Sequence, residues 1–169
     1  MSMLLCDFHI HTTWSDGSVD LPEVVDIYGQ AGFDVISITD HVYNTDSTIG
    51  SWAERLNKTI AEENFPGYME TLEREAERAM TRYGMLLIPG VEITKNYLSE
   101  EESAHVLLLD LKRYVSADLG WEEIFREANH LYSWKTLLPC LKNVEAVKEC
   151  IRDNRGVAIT MFRNGTARE

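Results

Sequence analysis

Cysteine is scarce in this chain, with three in 169 residues. Cys6, Cys140 and Cys150 show no Cys-x-x-Cys spacing, which argues against both a disulfide framework and a thiolate zinc site. They read as reduced, buried small hydrophobes. Long apolar runs are also missing: no stretch of eighteen apolar residues occurs. The start, Met1-Ser2-Met3-Leu4-Leu5-Cys6, lacks the basic and apolar regions of a signal peptide. The expectation is a cytoplasmic protein with no membrane partner. Basic residues are outnumbered, 16 Lys and Arg against 28 Asp and Glu, for a net charge of −12. That balance disfavours gripping long nucleic acid, a mode in which lysine and arginine neutralise phosphates, but admits small phosphorylated substrates. Repeats, low-complexity tracts and linkers are absent, and 44% hydrophobic content supports one globular domain over residues 1–169.

What is present is an alternation of strand and helix signals. A first strand leads to Asp20, which can cap a helix carrying Pro22 and Glu23 in its first turn and stopping at Gly32. The β-branched run Asp34 to Thr39 reads as a buried strand. Helical segments follow at roughly 52–63 and 68–82, broken by Phe65-Pro66-Gly67, and Gly84 ends the second. A strand from Met85 to Val91 and another opening at His105 come next, then helical stretches at 121–133 and, capped by Asn143, at 144–154. Gly156 precedes a last strand, Val157 to Thr160. This order implies an α/β fold built from βαβ units around a mostly parallel sheet.

The chemistry-bearing residues gather at the predicted strand ends. In Asp7-Phe8-His9-Ile10-His11 the two-residue period points His9 and His11 the same way and turns Phe8 and Ile10 into an apolar layer. Asp16 follows closely, and neutral imidazole with a carboxylate oxygen suits zinc, iron or manganese. A chance His-x-His is common enough that the pair alone is only suggestive. Asp40-His41 closes the second strand, Glu92 the third, and His105 opens the next, so four of the five histidines lie at strand ends. In parallel sheets and barrels reactive groups collect at the C-terminal strand ends.

Three segments resemble the motifs of the PHP family, the polymerase and histidinol phosphatase superfamily of metal-dependent phosphoesterases. They are Asp7-x-His9-x-His11-Thr12-x-x-Ser15-Asp16-Gly17, Ile38-Thr39-Asp40-His41, and Pro89-Gly90-Val91-Glu92-Ile93 followed by His105. The stand-alone phosphoesterases are closer in character than the polymerase-attached domains. The resemblance implies a distorted, TIM-like (βα)7 barrel with two or three divalent metal ions, zinc, manganese or iron, at the C-terminal strand ends. It implies His9, His11 and Glu92 as ligands of one metal, Glu92 and His105 of a second, and Asp16 with His41 of a third. Glu92 would bridge, and Glu92, Asp16 and His41 would form the catalytic core. Asp7 and Asp40 would orient neighbouring imidazoles as outer carboxylates. The implied reaction is hydrolysis of a small phosphomonoester or nucleotide by a metal-activated hydroxide, with no serine or cysteine nucleophile. Arg163, after the last strand, is the candidate for binding the substrate phosphate.

The C-terminal part departs from that pattern. Where relatives carry His-Pro after the last strand, this chain has Met161-Phe162, and a thioether is a poor ligand for such metals. An Asp-x-His motif expected further on is absent from the sequence. The expectation is therefore an incomplete barrel, its N-terminal and central part, with an uncovered sheet edge that favours self-association. His130, the fifth histidine, is a weak candidate as a replacement ligand. Two other readings compete: a catalytically impaired metal-binding or interaction module, and an amidohydrolase-like enzyme. The amidohydrolase lacks its downstream lysine or histidine pair here.

Overall fold

The structure is a computed structural model that describes residues 4–96, 104–128, 135–137, 157–161 and 167–168. The remainder of the predicted C-terminal helices, His130, Arg163, Cys140 and Cys150 lie outside the described residues. The elements are β1 (Cys6–Ile10), α1 (Leu21–Gln30), β2 (Val35–Tyr43), α2 (Thr48–Arg55), α3 (Phe65–Tyr83) and β3 (Leu86–Lys95). They continue with β4 (Ala104–Leu109), α4 (Trp121–Ala128), β5 (Lys135–Leu137), β6 (Val157–Met161) and β7 (Ala167–Arg168).

Local chemistry explains the helix ends. The Asp20 carboxylate accepts the Glu23 backbone N–H at 2.9 Å, and Pro22 lies in the first turn of α1. Gly84 closes α3 in the left-handed region (φ 60°), where its N–H donates to Met80 O and that of Met85 to Ala79 O. Phe65-Pro66-Gly67, expected to break a helix, instead begins α3, because proline is tolerated in a first turn. The break falls earlier, where the Asn64 side chain bonds Ala61 N and Thr59 O across the loop.

Strands β1, β2 and β3 run parallel in that spatial order, joined by crossovers through α1 and through α2 and α3. The fold is mixed α/β, with the sheet curled like part of a barrel wall. Two elements depart from the parallel order. β4 pairs antiparallel to β3, because only residues 96–103 join them and a parallel crossover needs a dozen or more. The last predicted strand, β6, belongs to a separate antiparallel sheet with β5 and β7 rather than extending the parallel one. Seven βα units are not seen among the described residues.

One face of the main sheet meets the helices. Ile36 and Ile38 of β2 and Leu87, Val91 and Ile93 of β3 pack there with Leu21, Val24, Tyr68, Leu72 and Ala79. On the other face Leu4, Phe8, Val35, Leu86 and Ile88 form a second apolar cluster. By strand alternation this second face also carries His41, Glu92, Thr94 and His105 further along, so it changes from apolar to polar toward one end of the sheet. Strand β1 does not alternate simply. Asp7 opposes Ile36 but Ile10 opposes Ile38, so β1 holds one extra residue. Phe8 and Ile10, expected in one apolar layer, therefore fall in different clusters.

Helices α1 and α3 are joined by one guanidinium. Arg78 donates from Nε to the buried Glu75 at 2.6 Å, from one terminal nitrogen to Asp26 at 2.5 Å and from the other to Pro22 O at 2.6 Å. Tyr83 OH also donates to Asp26 at 2.6 Å. Arg78→Ala leaves Glu75 buried without this partner and is expected to destabilise by about 3 kcal/mol. Urea unfolding followed by circular dichroism checks this; a loss under about 0.5 kcal/mol, typical of plain surface changes, would contradict it.

Candidate metal centre

Glu92 lies inside β3 rather than at its end, directly across from His41 on β2. Its side chain is 2% exposed, and four imidazoles surround it. Oε2 lies 3.2 Å from His9 Nε2, 3.0 Å from His11 Nε2 and 3.2 Å from His41 Nδ1, while Oε1 lies 2.8 Å from His105 Nδ1. Three different backbone devices bring these rings together. The extra residue in β1 turns His9 toward the polar end of the second face directly after Phe8, and His11 follows just past the strand. His41 arrives by parallel register. His105 arrives from the opposite direction, since the start of antiparallel β4 lies beside the end of β3 and pairs His105 with Thr94.

Asp16 joins from the turn after β1. Its Oδ1 accepts from His11 Nδ1 at 2.7 Å, and its Oδ2 lies 3.5 Å from His41 Nε2. The turn is tight. A Cβ on Gly17 would lie 2.6 Å from His11 O, so only glycine fits there without displacing the backbone that carries Asp16.

The outer carboxylates act differently from expectation. Buried Asp40 accepts Thr12 N at 2.7 Å, Thr12 Oγ1 at 2.8 Å and Ser15 Oγ at 2.6 Å. Asp7 accepts His9 N at 3.1 Å and Tyr28 OH at 3.1 Å. Their hydrogen-bond partners are thus backbone amides and hydroxyls rather than imidazoles, because both carboxylates point at the chain around His9 and the 12–15 turn. Asp40 holds the turn that presents His11 and Asp16. Arg163 and His130 cannot be placed, as they lie outside the described residues.

The charges are strongly coupled. Burial works against ionisation of Glu92, yet the imidazoles of His105, His11 and His9 against its oxygens, and His41 beside them, hold its carboxyl well below the usual range. Burial likewise disfavours protonating His11, but Glu92 and Asp16 outweigh it and raise the imidazole to about 9. His41 is dominated by burial and falls to about 4, despite Glu92. Asp16 is lowered by His11 and His41 against its own burial. Burial, then Asp16 and Glu92, push Tyr43 up to about 12, and its ring stacks on His41 with centroids 4.7 Å apart.

This donor set suits a divalent cation. His9, His11 and Glu92 form one group whose ligand atoms lie within 4.8 Å of one another, as do His11, Asp16 and His41, and His41, Glu92 and His105. Nitrogen and carboxylate donors of this kind are those that zinc, manganese and iron take. The decisive fit is His11 Nε2, a buried atom without a hydrogen-bond partner despite lying 3.0 Å from Glu92 Oε2. That nitrogen is left for another group to satisfy, and a cation would take it once its proton is lost.

No family model matches the chain. A stretch of 56 residues is 36% identical to the DNA polymerase/3'-5' exonuclease PolX of Bacillus subtilis (strain 168), covering 33% of this chain and 10% of that protein. Among solved structures, a two-domain protein containing a predicted PHP-like metal-dependent phosphoesterase from Bacteroides vulgatus ATCC 8482 is similar at a TM-score of 0.49 and 27% identity. That match covers 76% of this chain and 32% of the other. The chain thus spans about a tenth and about a third of these two proteins.

Two residues escaped the sequence reading. Thr94, fully buried, lies 2.6 Å from His41 Nδ1, and Asn96 Oδ1 lies 3.4 Å from His105 Nε2. The period of two from Glu92, the same signal that paired His9 with His11, also pointed to Thr94.

Two outcomes follow from this geometry. A cation taking the His11 lone pair must displace a proton below pH 9 or so, so Zn²⁺ affinity should rise about tenfold per pH unit from pH 6.5 to 8.5. Calorimetric titration in buffers of different ionisation enthalpy reads the released proton, and an affinity flat over that range would contradict it. Asp40→Asn removes one of the two anionic acceptors and should cost about 1.5–3 kcal/mol in thermal or urea unfolding while weakening Zn²⁺ binding. Unchanged stability would show that the turn does not depend on Asp40.

Proposed function

We propose that this chain is the metal-binding part of a PHP-type phosphoesterase that hydrolyses a small phosphorylated substrate, a phosphomonoester or nucleotide. The observation that carries the reading is the buried Glu92 carboxylate shared by two ligand groups, with a third group adjoining them through His11 and His41. His9, His11 and Glu92 would hold one divalent ion, Glu92 and His105 a second, and Asp16 with His41 a third. Ions so held would supply Lewis-acid stabilisation of phosphoryl charge and lower the pKa of water to near neutrality.

The chain's own groups fit that chemistry. Glu92 remains ionised at any working pH and offers its two oxygens to opposite sides, Oε1 toward His105 and Oε2 toward the other three imidazoles. His9 and His105 are half-exposed, so the centre is open to substrate on that side. The nearby hydroxyls are occupied: Ser15 and Thr12 both donate to Asp40, which leaves neither as a covalent nucleophile. Water is then the natural attacking group. The net charge of −12 favours a small substrate over a nucleic-acid polymer. The 56-residue likeness to a protein named as a polymerase and exonuclease supports phosphoester chemistry as the reaction class.

The test joins metal analysis to a panel of phosphomonoesters and nucleotides. Two or more metal ions per chain with turnover, and a loss of at least about a hundredfold in His9→Ala and Glu92→Ala, is the expected result. Full occupancy without turnover across the panel would overturn catalysis and leave a metal-binding module.

A further inference from the structure

His41 belongs to two of the three ligand groups, one with Asp16 and His11, the other with Glu92 and His105. An imidazole nitrogen that carries a proton cannot bind a cation, so the proton on His41 decides which group it serves. Its Nε2 lies 3.5 Å from Asp16 Oδ2, and its Nδ1 lies 3.2 Å from Glu92 Oε2. A closer neighbour bears on the choice. Thr94 Oγ1 is 2.6 Å from Nδ1 and 3.5 Å from the Glu92 backbone oxygen.

The hydroxyl has one proton to give and lone pairs to accept with. When it donates to the Glu92 carbonyl, it accepts from Nδ1–H, and the Nε2 lone pair then faces Asp16. We propose that Thr94 is a positioning residue that selects Nε2 of His41 as the ligating nitrogen and assigns His41 to the cation shared with Asp16. This rests on the metal-centre reading above. A second effect comes with it. By accepting the Nδ1–H hydrogen bond, Thr94 draws that donor away from Glu92 Oε2, which already has His9 and His11 within 3.2 Å and 3.0 Å. The oxygen stays available to a metal ion.

Sequence and register place Thr94 for this role. It follows Glu92 by two residues, so both side chains lie on one face of β3, and it pairs with Tyr43, whose ring stacks on His41. Thr94 is fully buried, and His41 is 5% exposed at its side chain, so water does not compete for Nδ1. Partners that fix the tautomer of a ligating histidine commonly change metal affinity by 10–100-fold when removed.

The experiment titrates Zn²⁺ into the full chain as wild type, Thr94→Val and Thr94→Ser, with long-range ¹H–¹⁵N spectra of the histidine rings. In zinc-loaded wild type, His41 should carry its proton on Nδ1 and bind through Nε2. Thr94→Val, close to threonine in shape but without the hydroxyl, should weaken one zinc equivalent by about 10–100-fold and shift or abolish the Nδ1–H signal. Thr94→Ser restores the hydroxyl and should restore both, which separates positioning from a packing defect. Unchanged zinc affinity and ring signals in Thr94→Val, or binding through Nδ1 in wild type, would overturn the inference alone. A wild type that takes up no zinc would overturn it together with the metal centre, whereas zinc uptake without phosphatase turnover bears only on the proposed reaction.

Discussion

A carboxylate buried inside a protein costs on the order of several kcal/mol unless opposite charge or hydrogen bonds compensate it, and Glu92 sits in the middle of β3 with its side chain 2% exposed. Four imidazoles and the hydrogen bonds they supply keep it ionised. The rest of the site follows from that one buried charge. His11 is drawn toward protonation by the same field, while His41, deeper and less compensated, is driven neutral by burial. Two rings a few ångströms apart thus hold opposite protonation tendencies, which is the arrangement that a cation entering the cluster would equalise.

Holding five side chains around Glu92 needs more than strand alternation. The extra residue in β1 separates Phe8 from Ile10 and puts His9 on the polar end of the second face. Asp40, at the centre of β2, gathers three donors from the 12–15 turn and so fixes the segment between His11 and Asp16. Tyr68, fully buried, extends this support from α3 by donating its hydroxyl to Gly90 O, two residues before Glu92. The helix layer is therefore tied by hydrogen bonds to the strand that carries the charge.

Much of the fold was legible in local sequence. The Asp20 cap with Pro22, the left-handed Gly84 and the buried run in β2 are all short-range signals, and each formed where it was expected. The lengths of β2 and β3 were not, because Asp40, His41, Glu92 and Thr94 break the apolar pattern that marks a strand. Those polar residues remain in the strands because each has a partner on a neighbouring element. The orientation of β4 was not legible either, since nothing within a strand's own residues says which way its neighbour runs.

By itself, then, the sequence determined which residue types were available, that His9, His11, Asp16, His41, Glu92 and His105 stood in or close to strand segments, and that nitrogen and carboxylate donors point to a divalent metal. Those properties reside in single residues and their immediate spacing. Only the tertiary structure decided that the six converge on one buried carboxylate, that Asp40 braces a turn instead of a ring, and that Thr94 faces His41. These are contacts between residues 13 to 83 positions apart, and their geometry is set by a bulge, an antiparallel pairing and the burial of neighbouring groups, none of which has a signature within a few residues of chain.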